Sequence, residues 1–140
     1  MTTYILGCRL RVEVQIESSG QWMWAEYDNM TIESEDNNYK LHVTGYHGNA
    51  GDAFNDDHAV GSPSNGMMFS TPDVDNDMWL DGNCAGHAGH ASQGWWFRRC
   101  STSRLNSITS MWYSTPIGTQ YSPTLVTASR MMIQCGAGAI

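Results

Sequence analysis

Phe69-Ser-Thr-Pro-Asp-Val-Asp-Asn-Asp77, followed by Asn83-Cys-Ala85 and Gly94-Trp-Trp-Phe-Arg-Arg-Cys100, is the stretch on which the reading of this chain turns. Asp73, Asp75 and Asp77 stand at alternate positions and concentrate hard carboxylate oxygens, the ligands calcium prefers, in a few residues. Cys84 and Cys100 bracket the next segment and can clamp the loop that the aspartates begin. The combination reads as a calcium-bound, disulfide-stapled surface loop, which suits recognition outside the cell better than catalysis inside it. It is not an EF-hand. Counted from Asp73, the sixth and twelfth places hold Met78 and Cys84, where that motif needs Gly and Glu. Two carboxylates still suffice for calcium if main-chain carbonyls and waters complete the shell.

The bulk properties fit a recognition module. With 140 residues the chain is one domain, large enough to bury a core. Hydrophobic residues make up 41% and charged residues 15%, with 14 Gly, so a loop-rich globular chain is expected rather than a disordered one. The net charge of −7 argues against a nucleic-acid partner, because phosphate contacts need clustered Lys and Arg. Asp52, Asp56, Asp57, Asp73, Asp75, Asp77 and Asp81 crowd one region, where a bound cation would relieve their repulsion. No apolar run is long enough to span a bilayer, so no membrane insertion is expected. No Gly-x-Ser-x-Gly elbow or other nucleophile context is present, so an enzyme is not expected.

Working outward, Leu10-Arg-Val-Glu-Val-Gln-Ile16 alternates apolar and polar residues at the period of a half-buried strand. Ser18-Ser-Gly20 reads as a turn and Gln21-Trp-Met-Trp-Ala-Glu-Tyr27 as the returning strand of a hairpin. Asn29-Met-Thr-Ile32 reads as a further short strand, and Tyr39-Lys-Leu-His-Val-Thr-Gly45 alternates again. From His47 to Arg99, Gly and Pro recur too often for long elements, and calcium and a disulfide are the available sources of order. Leu125-Val-Thr-Ala-Ser-Arg-Met-Met-Ile133 closes the pattern as a strand.

Tyr39-Lys-Leu-His-Val-Thr-Gly-Tyr-His-Gly-Asn-Ala-Gly-Asp52, Asn65-Gly-Met-Met-Phe-Ser-Thr-Pro-Asp-Val-Asp-Asn-Asp77, Asn83-Cys-Ala85, Gly94-Trp-Trp-Phe97, Cys100 and Leu105-Asn106 together resemble the fibrinogen C-terminal domain. That family includes fibrinogen chains, ficolins, tachylectins, angiopoietins and tenascins. The resemblance runs from about Leu10 to Ile133. It implies an α+β fold, mainly antiparallel sheet with long calcium- and disulfide-stabilised loops. Residues 1–140 would form one partial domain, with the central sheet at about 9–46 and 125–133 and the distal loops at about 47–124. The resemblance further implies Ca2+ held by Asp75 and Asp77 with main-chain carbonyls near Trp79, Leu80 and Gly82, and a Cys84–Cys100 disulfide. The Arg99–Cys100 bond falls where the family carries a cis non-proline peptide. In lectin-like members that region lines a pocket for acetyl groups, which maps here onto Phe97, Arg99, Cys100, Ser101, Trp112, Tyr113 and Tyr121.

The chain also departs from the pattern. Phe97 stands where a pocket tyrosine is common, and Ser101 replaces a histidine. After Leu105-Asn106 the family's loop is shortened, with Met111-Trp-Tyr113 following almost at once. The Gly-Gly-Trp-Thr signature and cysteine pair of the family's N-terminal subdomain do not occur in these residues, so a partial domain is expected. Met1 to Gly7 also lacks the features of a secretory signal, whereas disulfides persist in oxidising compartments. A truncated domain whose upstream region carries the signal reconciles the two. Truncation would leave Ile16, Trp22 and Trp24 as a sticky surface patch. Cys8 and Cys135 can pair with each other, stay free or link chains. His58, His87 and His90 lie in the acidic loops, and the His87/His90 pair in Gly86-His-Ala-Gly-His90 hints at zinc, but no third ligand stands at diagnostic spacing. Asn29-Met-Thr31 is an N-glycosylation sequon, meaningful if the chain is secreted.

The expected function is an extracellular calcium-binding recognition module, lectin-like and directed at acetylated glycans in innate pattern recognition. Avidity from several copies would compensate for weak single sites, with any homo-oligomer built through the missing upstream regions. The alternatives are a protein-binding module of matrix or receptor-ligand type and a truncated, inactive paralogue.

Overall fold

Leu10, Val12 and Val14 are fully buried and alternate with Arg11, Glu13 and Gln15, so one strand divides an apolar inner face from a polar outer face. This strand anchors the computed structural model, in which residues 3–55, 63–87, 93–107, 111–117 and 120–136 are described. The strands are β1 (Thr3–Ile16), β2 (Trp22–Glu33), β3 (Leu41–Gly48), β4 (Ser103–Arg104), β5 (Met111–Ile117) and β6 (Gln120–Gln134). They form a single six-stranded sheet in the order β3-β2-β1-β6-β5-β4, with every described pair antiparallel.

The expected hairpin is present. The segment Asn29-Met-Thr-Ile32 is its continuation within β2 and not a separate strand. What looked like a boundary is a change of phase. Tyr27 pairs with Tyr46 and Asn29 with Thr44, yet Tyr27 and Met30 are both buried while Asp28 and Asn29 are both exposed. Against β1, Leu10 faces Tyr27 and Cys8 faces Met30, so β2 carries one extra residue there, a β-bulge. Gly45, opposite Asp28, adopts φ +74, and a Cβ at Gly45 would lie 2.9 Å from the Asp28 Cβ.

The α component of the α+β expectation is reduced, among the described residues, to one 3-10 turn at Glu35–Asn37. The sheet also extends further than the sequence indicated, because β5 falls inside the stretch read as loop. Tyr113, Ser114 and Thr115 are buried in succession, which erases the alternation that marks a half-exposed strand. Pro123 fits in β6 because β1 pairs with β6 only from Val126 onward, so its missing N–H is not required on that side.

The sticky-patch expectation holds for Trp22, which is exposed, only in part for the half-buried Trp24, and not for Ile16. Ile16 is buried on the inner face. The Arg11 guanidinium lies 4.6 Å from the Trp24 ring, and that of Arg130 lies 4.6 Å from Trp22. Arg11 also meets Glu26 at 2.7 Å and Glu13 at 3.3 Å. The two tryptophans are therefore roofed by cations, leaving Trp22 at 38% exposure.

Loops fold over the inner face. Ala50, Ala53, Phe54, Cys84, Ala85, Trp95 and Phe97 join Leu10, Val12, Val14, Tyr27 and Met30 in one core. Three tyrosines fasten the first of these loops. Tyr27 donates to Asp52 Oδ1 at 2.8 Å, Tyr113 donates to the Gly51 carbonyl at 2.7 Å, and Tyr46 accepts from the Gly51 amide at 2.9 Å. Burial pushes the Tyr27 and Tyr113 hydroxyls far above the usual phenol range, so both stay neutral donors. Of the three fates open to Cys8 and Cys135, mutual pairing is the one formed. The register explains it: Arg9 faces Gln134, which sets Cys8 against Cys135.

Candidate functional site

The acidic segment is shaped by its own side chains. Thr71 donates its hydroxyl to Asp73 Oδ1 at 2.8 Å. Asn76 donates its side-chain amide to the Phe69 carbonyl at 2.9 Å, and its backbone amide to the Ser70 hydroxyl at 3.0 Å. Asp77 is the hub. Its Oδ1 accepts from the Trp79 amide at 2.8 Å and its Oδ2 from the Cys84 amide at 2.8 Å, while its own amide donates to Asp75 Oδ1 at 3.2 Å. Local turns of this type are the ordinary chemistry of Asp in loops.

Asp75 and Asp77 thus share one turn. Desolvation, with a smaller contribution from the Asp75 carboxylate, raises the Asp77 carboxyl above the usual carboxylate range despite the two amides that favour its charge. An Asp77 carboxyl raised by desolvation and by its neighbour suits a hard cation, which would offset both. Trp79 folds over Gly82 so closely that a Cβ there would lie 2.4 Å from the indole. Gly82 donates its amide to the Trp79 carbonyl at 3.3 Å, and Leu80 points its side chain into solvent at 97% exposure. No group of three or more His, Cys, Asp or Glu forms among the described residues. A cation here would therefore depend on Asp75, Asp77, carbonyls and water, a donor set that fits calcium. His87 lies beside the Trp79 ring at 5.5 Å, and His58 and His90 fall outside the described residues.

The acidic turn is bolted to the segment around Cys100. Cys84 and Cys100 form a disulfide, and the Met78 amide donates to the Arg98 carbonyl at 2.7 Å. Arg98 reaches back to the Pro63 and Asn65 carbonyls at 3.0 and 3.1 Å. The Arg99–Cys100 peptide is cis.

The residues mapped to an acetyl pocket are scattered in character. Phe97 and Tyr113 are sealed in the core at 0% exposure, so in this conformation they support the site from beneath and offer no open wall. Ser101 is buried with its hydroxyl unpaired, Cys100 is half-buried, and Arg99 is exposed. Trp112 is half-buried with the Arg104 guanidinium 5.7 Å from its ring, and the Tyr121 side chain lies outside the described residues. Among the described residues, open space lies beside the tryptophan pair instead. A groove of about 330 Å³ is lined by Phe69, Trp95, Trp96, Leu105, Asn106 and Met131, among others. Trp95 and Trp96 belong to the Gly94-Trp-Trp-Phe97 stretch quoted above, whereas Phe69 and Met131 arrive from separate elements and share no sequence signal for a groove. Phe69 and Trp96 meet edge to face at 5.2 Å, and Asn106 donates to the Gly94 carbonyl at 3.1 Å.

Comparison with known proteins agrees with this architecture. Residues 3–120 match the family model for the C-terminal globular domain of fibrinogen beta and gamma chains. Human (Homo sapiens) fibroleukin is 36% identical over 97 residues, covering 69% of this chain and 21% of fibroleukin. The Xenopus laevis fibrinogen gamma chain is 39% identical over 105 residues, covering 69% of this chain and 23% of its own. Among solved structures, the fibrinogen-like globe domain of human ANGPTL6 superposes with a TM-score of 0.65 at 27% identity, covering 91% of this chain and 56% of that one. The corresponding domain of human ANGPTL2 gives 0.63 at 32% identity, with 91% and 58% covered. The chain thus spans about a fifth of the curated relatives' length and little over half of the solved domains. By its matched residues and its superposition, this chain belongs to the fibrinogen C-terminal globular domain family.

Proposed function

We propose that the chain is an extracellular recognition module whose acidic turn is ordered by Ca2+ and whose exposed loop end binds a protein partner. The observation that carries this reading is the contrast within residues 74–80. Asp77 is fixed by the Trp79 and Cys84 amides, while Val74, Met78 and Leu80 project apolar side chains outward at 49%, 55% and 97% exposure. Apolar side chains held out on a fixed loop are characteristic of binding surfaces. When bound, calcium would supply positive charge that holds the two carboxylates together; the disulfide and the Asp77 hydrogen bonds position the rest. Two disulfides agree with an extracellular setting.

Binding of acetylated glycans is a second reading, favoured by the aromatic groove. Phe69 and Trp96, backed by the buried Trp95, offer apolar faces there beside the polar Asn106 side chain, a combination suited to a small amphipathic ligand.

One experiment separates the two. The chain is passed over N-acetylglucosamine resin and, in parallel, over intact cells, each in millimolar calcium. Retention on resin with release by EDTA or free acetate supports the glycan reading. Cell binding that resists acetylated-sugar competition, and is lost with Leu80→Asp or EDTA, supports the protein reading. Cell binding insensitive to both Leu80→Asp and EDTA overturns the assignment to the acidic loop.

A further inference from the structure

We infer that Asn29 is an N-glycosylation site, and that its glycan covers the face of the sheet opposite the recognition loops. This rests on the extracellular reading above but on a different region of the molecule. Asn29-Met-Thr31 is the only Asn-x-Ser/Thr sequon in the chain with x other than Pro.

A sequon in the middle of a strand would ordinarily be a poor acceptor. Strict alternation from the buried Tyr27 would put Asn29 on the core side, where no oligosaccharide fits. The β-bulge between the Leu10/Tyr27 and Cys8/Met30 pairs removes that obstacle. It turns Met30 inward to 1% exposure and leaves Asn29 exposed, with Thr31 half-exposed on the same strand. Across β3, Asn29 faces Thr44, itself exposed, and Thr31 faces His42, whose side chain is 47% exposed. Among the described residues no side-chain hydrogen bond or ion pair engages the Asn29 amide. A glycan there would displace nothing.

Placement on the outer face has a consequence. The segments that carry Cys84, Trp95 and Phe97 pack against the inner face, with Leu10, Val12 and Tyr27. A glycan on Asn29 would project the other way, leaving the loop end clear while shielding the β2–β3 outer surface from association. The compartment is consistent, since the oxidising lumen in which Cys8–Cys135 and Cys84–Cys100 form is the one in which N-glycans are attached.

The test expresses the full chain behind a heterologous signal peptide in a eukaryotic secretory line, so that the chain's own targeting is not at issue. Secreted, disulfide-bonded protein is treated with an N-glycosidase. The expected result is a mobility shift equal to one glycan, absent in both Asn29→Gln and Thr31→Ala and retained in Thr31→Ser. Asn29→Gln is expected to leave far-UV circular dichroism and thermal midpoint unchanged, which distinguishes loss of the acceptor from misfolding. Secreted wild type with no glycosidase-sensitive shift, or a shift that persists in Asn29→Gln, overturns the inference. Neither outcome bears on the calcium loop, which the EDTA comparison tests separately.

Discussion

The Cys84 amide donates a 2.8 Å hydrogen bond to Asp77 Oδ2, so the residue that opens the disulfide loop also caps the acidic turn. Asp75 has no such duty: it accepts only from the Asp77 amide at 3.2 Å among the described hydrogen bonds. The two aspartates therefore separate in their effects. In EDTA, Asp77→Ala should cost about 1–2 kcal/mol by orphaning the Trp79 and Cys84 amides. Asp75→Ala should change stability by less than about 0.5 kcal/mol under the same conditions. In millimolar calcium the double variant should show no calcium-dependent rise in melting temperature. A rise equal to wild type would remove the metal from the site.

The same pair sets a pH dependence. The Asp77 carboxyl is raised by desolvation, so without calcium the folded state holds its proton to higher pH than the unfolded state does. Stability tied to that proton is present below the ordinary Asp range and is lost as pH rises through the folded value. Calcium competes with the proton. The calcium-induced increase in melting temperature should therefore be largest near neutral pH and fade as pH drops toward the ordinary Asp range. Melts in calcium and in EDTA across that window measure it, and a calcium effect that grows on acidification contradicts it.

Gly82 tests the turn by shape alone. An alanine Cβ there would lie 2.4 Å from the Trp79 indole, so the ring or the turn must move. Gly82→Ala should destabilise the fold by about 1–3 kcal/mol, as overpacking does, and should weaken calcium stabilisation although no carboxylate is touched. Tryptophan emission and calcium titration of the same sample read both effects. A variant with wild-type calcium response would show that the Trp79–Gly82 segment supplies nothing to the ion.

How much of this was legible in the sequence depends on which residues carried a periodic signal. Leu10 to Ile16 alternates and was readable, and so was the Asp73–Asp77 cluster with its flanking Asn-Cys and Gly-Trp-Trp. β5 was not, because Tyr113 to Thr115 are buried on both sides of the strand and lose the period of two. The bulge at Asp28 hid the unity of β2 for a related reason: an inserted residue inverts the pattern halfway along. Proximity across the chain was the least accessible. Phe69 and Met131 meet at one groove only because the segment after β3 folds across the inner face, where Met131 pairs with the buried Val12, and no local pattern encodes that.

Three tyrosines hold the loop at Asp52. Tyr113 is fully buried and its hydroxyl donates to the Gly51 carbonyl at 2.7 Å. Tyr113→Phe keeps the ring and should cost about 1–3 kcal/mol, because the buried carbonyl loses its donor. Urea unfolding followed by circular dichroism measures it. A change below about 0.5 kcal/mol would mean that water or another donor takes the place of the hydroxyl.

Glu33 and His42 supply an acid-sensitive contact outside the acidic turn. His42 Nε2 lies 2.6 Å from Glu33 Oε2, and Asn37 donates to Glu33 Oε1 at 2.9 Å. The His42 hydrogen bond is the main reason the Glu33 carboxyl sits below its ordinary value. A depressed carboxyl contributes stability that is present above the ordinary Glu range and lost as pH falls through the folded value. His42→Ala should therefore lower the urea midpoint at about pH 6, and the difference from wild type should be smaller at about pH 3, as the Glu33 carboxylate takes up its proton. His42→Gln retains a donor and should recover part of the loss. If the midpoint difference between wild type and His42→Ala is the same at both pH values, the carboxylate is not the group that His42 stabilises, and the contact acts by packing alone.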